Sequence, residues 1–203
     1  MEEVRLGGAS VRVLLVVRGL PSGGPAVAAA ISSLSPTIVG LSIAPEEVAA
    51  LRAYEGGPVP AEGFEEEVYV AGLSAWEAPV KPPPCFTEAL SAAEGRGIPV
   101  EGLDLDEQSY TEAFTKYVST MELILRGRTE ARLRRKRFRA QTPEAFVVEW
   151  DAVVNRAPGY ARLEREREAH MASRLRALAA PGGTVLAVIE VERAKGVLAA
   201  LRD

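Results

Sequence analysis

Apolar positions come in short blocks separated by breakers along most of this chain, and their spacing switches between strand and helix patterns. Val11 to Val17 is an apolar run broken only by Arg12, the pattern of a buried strand. Gly19-Leu-Pro-Ser-Gly-Gly-Pro25 closes it with turn residues, and an alanine-rich helix runs on to about Leu34. After Pro36, Thr37 to Ile43 predicts a second strand. Ala44-Pro45-Glu46-Glu47 opens a helix with a first-turn proline and acids at its positive end. Glu55 to Glu67 turns to Gly, Pro and Glu and predicts a flexible solvated loop, with a short strand following at Val68 to Ala71. The proline run Pro79 to Pro84 predicts an extended segment. Phe86 to Arg96 then reads as a helix stopped by Gly97, and Ile98 to Asp106 as a strand with acids at its C-terminal end.

Helical periodicity dominates the next seventy or so residues. Ala113, Phe114, Tyr117, Val118, Met121, Ile124 and Leu125 form a stripe over Tyr110 to Leu125, with Gly127 as a break before a basic stretch. Thr142-Pro143-Glu144 caps a helix running through Val154, and Asn155 to Gly159 turns the chain into a charged helix from Arg162 to Ala179. Thr184 to Val191 is β-prone, and Ala194 to Leu201 closes as a helix. The order predicts an α/β fold: one domain over 1–203, with a mixed central sheet of about four or five strands, flanking helices and a helical insertion over about 110–179.

Composition narrows the chemistry. With 203 residues and 47% hydrophobic side chains the chain has material for a sizeable core. Its apolar runs are a handful of residues, far short of the ~20 that span a bilayer, so no membrane partner is expected. Met1-Glu2-Glu3 lacks the basic start of a secretory signal, and a single cysteine, Cys85, suits a reducing cytoplasm. One histidine, His170, cannot supply a His-rich zinc site. Arginine far outnumbers lysine, and Asn, Gln, Met and Cys are scarce; this balance predicts a heat-adapted protein with a thermal midpoint above about 65 °C.

The formal charge of −4 conceals a basic block. Arg126, Arg128, Arg132, Arg134, Arg135, Lys136, Arg137 and Arg139 are opposed there only by Glu130. This basic helix over 126–139 offers a surface for nucleic-acid phosphates, and equally a contact with the chain's own acids or with a second subunit. Phe138 is its one aromatic residue, which provides poorly for base stacking.

Two regions carry a family resemblance. Glu166-Arg167-Glu168-Ala-His-Met171-Ala172, with Gly183-Thr-Val-Leu-Ala-Val-Ile189 and Gly196-Val197, resembles the ERD-x-x-MA helix and following strand of the TraB/PrgY/Tiki superfamily. Val13 to Val16, Ser22, Pro36 to Val39 and Leu51 are similar to its first two strands. Pro83, Glu88, Ala89, Ala93 and Leu103-Asp104-Leu-Asp106 are similar to its central helix and acidic strand end. The resemblance implies an EreA/ChaN-like α/β fold and, from the Tiki branch, metal-dependent proteolysis through two Gly-x-x-His motifs and a glutamate. Here Val17 and Leu20 stand at the first motif, Glu190 and Arg193 at the second, and Ser42 at the glutamate. The resemblance therefore implies a retained scaffold with a degenerate site; the expected protein is a non-catalytic binding or assembly module needing no cofactor, a homodimer through its charged helices.

Remaining candidates follow from residue chemistry. Asp104, Asp106, Arg167, Glu190 and Arg193 form a candidate ligand or anion site, with Arg167 either anchoring a ligand-facing acid or fixing its helix to the sheet. Asp104 and Asp106, two apart on a predicted strand, share a face, and with Glu190 offer three carboxylates to Mg²⁺ or Mn²⁺, the alternative of a relocated metal-dependent hydrolase site. Arg132, Arg134, Arg135, Lys136, Arg137 and Arg139 are the candidate basic surface of a nucleic-acid accessory protein. The loop from Gly19 to Pro25 lacks the Gly-Lys-Ser/Thr ending of a phosphate cradle.

Overall fold

A computed structural model describes residues 1–57, 59 and 63–203. Five strands form a mixed sheet: β1 (Glu2–Leu6), β2 (Ala9–Val16), β3 (Ile38–Leu41), β4 (Val100–Gly102) and β5 (Gly183–Glu190). Their spatial order is β1-β2-β5-β3-β4, with β1 antiparallel to β2 and every other pair parallel. The hairpin strand β1 was not legible as such, because its short, charge-rich Glu-Glu-Val-Arg-Leu carries one fully inward residue, Val4. Leu6 pairs with Ala9, so two residues make the turn, and Gly7 adopts φ +60°, which a side chain would resist.

β5 lies between β2 and β3 and is buried on both faces, which is why its sequence reads as a continuous apolar run. Alternation then divides it: Leu186 and Val188 face one layer, Val185, Ala187 and Ile189 the other. The first layer is built by α1 (Gly23–Leu34), α2 (Pro45–Arg52) and α4 (Pro84–Glu94). The second is built by α9 (Pro158–Ala179) and α10 (Val191–Arg202), with Met171, Ala172 and Leu175 fully buried against the sheet. Truncating Met171 or Leu175 to alanine costs about 2–5 kcal/mol. Thus α9 forms one face of the core rather than part of an insertion.

A further group of helices caps the C-terminal ends of the strands. α3 (Phe64–Leu73), α7 (Gly127–Arg135) and α8 (Pro143–Val154) pack Tyr69, Leu73, Leu133, Phe146, Val147 and Trp150 over Val17 and Leu20, which follow β2. Around these, α5 (Glu107–Tyr117) lies against α9 through Ala113, Tyr160 and Leu163. α6 (Thr120–Ile124) connects α5 to the cap.

Several boundaries differ from the sequence expectation. The expected strand at 68–71 is the second half of α3: Tyr69 and Leu73 sit four apart on one helical face, an apolar spacing that alternation had mimicked. The expected loop over 55–67 is helical from Phe64; residues 58 and 60–62 lie outside the described residues. The strand expected over 98–106 keeps only Val100–Gly102, because beyond Leu41 β3 offers no further partner. The helix expected over 110–125 is interrupted where Val118 takes extended geometry and Ser119 caps α6. The basic segment is helical only through Arg135, with Lys136 extended. Among the described residues no helix is long and apolar enough to cross a membrane.

Candidate functional site

Parallel pairing of β2, β5, β3 and β4 sends the C-terminal ends of four strands to one edge of the sheet, where open α/β sheets offer a crevice. Register sets what meets there: Val16 lies beside Glu190, Leu41 beside Val188 and Gly102. Ser42 continues the ladder, its amide donating to the Val188 carbonyl at 3.0 Å. The Glu190 amide donates to Ser42 Oγ at 3.0 Å, and Ser42 Oγ donates to Glu190 Oε2 at 3.4 Å. Glu190 Oε1 also lies 3.4 Å from Arg18 Nε.

The remaining charges at this edge form a chain of ion pairs. Asp104, 5% exposed, receives Arg167 through Nε at 3.0 Å and Nη2 at 2.5 Å, and the Leu105 amide at 2.8 Å. Arg167 Nη1 reaches Glu164 Oε2 at 2.8 Å. Arg193, buried at the start of α10, pairs with Asp151 and Glu164 and approaches Glu168 at 3.7 Å. Such groups are stable in the interior only because each charge is answered. Burial pushes the carboxyls of Asp151 and Glu47 up, and that of Glu168 up to about 6. Burial, reinforced by the charge of Glu190, raises Glu192 most strongly, and its Oε2 lacks a hydrogen-bond partner among the described residues. For Arg167 burial opposes the charge, but Glu164 and Asp104 outweigh it and hold the guanidinium protonated.

The structure therefore brings Asp104, Arg167, Glu190, Arg193 and Ser42 to one region and leaves Asp106 out. Neither aspartate lies on a strand. Asp106 is exposed and caps α5, accepting the Ser109 amide at 2.7 Å, which lowers its carboxyl. The expected set of Asp104, Asp106 and Glu190 is not assembled, because one turn of chain after β4 sends the two aspartates apart. Among the described residues no group of three His, Cys, Asp or Glu side chains is placed to hold a metal. At the positions where the resemblance implies metal ligands stand Leu20, packed in the apolar cap, Ser42, hydrogen-bonded to Glu190, and Arg193, held by carboxylates. That donor set does not fit a divalent cation.

Beside the ion pairs lies a cleft of about 470 Å³. Arg18, Glu47, Tyr69, Val80, Phe86 and Trp150 are among its walls, which come from the turn after β2, α2, α3, the proline segment with the start of α4, and α8. The Tyr69 hydroxyl donates to the Arg18 carbonyl at 3.0 Å, and Trp150 Nε1 donates to the Glu65 carbonyl at 3.2 Å. The two rings meet edge to face at 5.0 Å. The Val80 amide donates to the Gly19 carbonyl at 2.8 Å, and Gly19, at φ +92°, lets the proline segment approach. Sequence reading missed this cleft: Tyr69 fell on the expected strand over 68–71, and Trp150 lies some eighty residues away in the chain. The available signal was Arg18-Gly19 at the end of the first parallel strand, where ligands of this architecture bind.

The basic surface divides by environment. Lys136 pairs with Glu149 at 2.6 Å, and Arg134 lies over the Phe64 ring at 4.7 Å. Phe138 packs on Phe146 at 4.8 Å, which takes its ring out of reach of a base. Arg132 and Arg135 line a groove between α7 and α8, whereas Arg137 and Arg139 follow the helix. Cys85 is buried, and burial pushes its thiol up to about 12. A scan against family models finds no match for the chain, and a search of curated proteins finds none.

Proposed function

We propose that this chain is a non-catalytic binding module, built on a TraB/Tiki-like scaffold, that holds a small ligand with an aromatic or apolar body and one anionic group in the cleft at the sheet edge. The observation that carries this reading is the division of labour at that edge. Asp104, Arg167, Glu164, Arg193 and Asp151 are committed to one another, whereas the adjoining 470 Å³ cleft presents Tyr69, Phe86, Val80 and Trp150 with Arg18 beside them. A mostly apolar concavity with a few convergent polar groups is the usual form of a small-molecule site. Arg18, which also reaches Glu190 at 3.4 Å, supplies the cation: burial opposes its charge, but nearby negative charge, Glu190 first, outweighs that and keeps the guanidinium protonated.

The probe 1-anilinonaphthalene-8-sulfonate, an aromatic anion, tests this. Saturable binding of one probe per folded chain, with energy transfer from tryptophan and loss on filling the cleft by Ala50→Trp, is the expected result. Ala50 is exposed and lines the cleft, so the substitution blocks it without disturbing the core. No saturable binding, or binding indifferent to Ala50→Trp, defeats the proposal.

A further inference from the structure

α6 turns its apolar side chains to water. Its acid, Glu122, is half-buried and serves helix ends, its carboxylate accepting the Gly159 amide at 2.7 Å and, in a capping box, the Ser119 amide at 2.9 Å. Its large apolar side chains point to water instead: Met121 is 61% exposed, Leu123 45% and Ile124 71%. Water does not favour that orientation, and three such side chains on one short helix are unlike scattered surface leucines.

The same face continues in charge. Leu125 and Arg126 keep right-handed helical backbone, so the chain passes from α6 into α7 without reversing. Met121 and Ile124 on α6 and, after the Leu125–Arg126 turn, Arg128, Arg132 and Arg135 on α7 recur at spacings of three and four, an apolar end followed by a cationic one. Arg128, Arg132 and Arg135 line an open groove of about 800 Å³ whose far side adds Arg156. Among the described residues none of these four arginines has an ion-pair partner. This contrasts with Arg126, which reaches Glu65 at 2.5 Å.

The occupant must answer both halves of the stripe. A second copy meeting this face symmetrically sets arginine against arginine. Nucleic-acid phosphates answer the arginines but leave Met121, Leu123 and Ile124 in water. An anionic bilayer answers both, because its headgroups take the cations while its acyl boundary takes the apolar tip. We propose that the stripe from Met121 to Arg135 docks the protein on the surface of an anionic lipid bilayer, without crossing it.

Co-sedimentation of the full chain with vesicles of phosphatidylcholine alone, or of phosphatidylcholine with phosphatidylglycerol, tests the proposal. Binding to the anionic vesicles and not the neutral ones is expected, weakening as salt rises. Arg128→Glu with Arg132→Glu and Arg135→Glu should reduce it at least ~100-fold, and Met121→Ser with Leu123→Ser and Ile124→Ser at least ~10-fold. All six positions are on the outer surface or groove, and circular dichroism verifies that each variant folds. Absence of binding to anionic vesicles overturns the proposal, as does binding indifferent to the serine substitutions. A dimer that the serine substitutions dissociate overturns it in favour of a second copy. Binding to duplex DNA that outlasts those substitutions, with no vesicle binding, overturns it in favour of a phosphate backbone.

Discussion

Replacing Arg167 by alanine removes the cation on which two carboxylates rely. Asp104 loses both the Nε contact at 3.0 Å and the Nη2 contact at 2.5 Å, and keeps only the Leu105 amide at 2.8 Å. Glu164 loses Nη1 at 2.8 Å but retains Arg193. Breaking a buried pair from one side costs about 3–5 kcal/mol, chiefly because the other charge stays behind. The surviving partner of Glu164 places this case near the lower end, about 3 kcal/mol. For a chain of this size that lowers the thermal midpoint by about 6–12 °C. Urea unfolding followed by circular dichroism measures the loss directly. The Asp104→Asn background supplies the control: there Arg167→Ala should cost about 1–3 kcal/mol less than in the native chain. A loss below about 1 kcal/mol in the native background refutes the view that this arginine fixes α9 to the sheet edge.

Three other outcomes follow from particular contacts. At Gly72 a Cβ would run into the buried Phe146 ring, so Gly72→Ala should cost about 1–3 kcal/mol, and less when combined with Phe146→Leu; equal unfolding midpoints for the single variant and the native chain contradict this. Because folding raises the Glu192 carboxyl, the neutral form is favoured in the fold, and stability falls as pH climbs from the ordinary carboxyl range to about 8. Glu192→Gln should therefore change little near about pH 5 and stabilise near about pH 9, and equal destabilisation at both refutes it. Iodoacetamide should leave Cys85 untouched in the folded chain and modify it in urea, since the thiol is buried and raised to about 12; rapid labelling of the native protein contradicts that.

Where one physical signal dominated, the sequence disclosed the structure. The apolar run from Val185 to Ile189 announced a strand buried on both faces, and Thr142-Pro143 announced the start of α8, whose cap accepts the Ala145 amide. Where two signals compete, it did not. Alternation and helical spacing coincide over Val68 to Ala71, and only packing of Tyr69 against Trp150 selects the helix. Strand ends likewise depend on a neighbour's length, which is how Asp104 and Asp106 came to be placed on one face when each leaves the sheet differently. Arg167 with Asp104, and Glu190 with Arg193 nearby, were legible as a charged group, whereas the cleft is made by residues from at least five separate segments. No local pattern encodes that convergence.

Ligand binding in the cleft beside those ion pairs is the central proposal, and hydrogen–deuterium exchange with and without saturating 1-anilinonaphthalene-8-sulfonate measures it directly. Slower exchange confined to α2, α3, α8 and the segment from Pro79 to Phe86 is the predicted result, since these line the cleft. Protection confined to α7, or no protection anywhere, would contradict it.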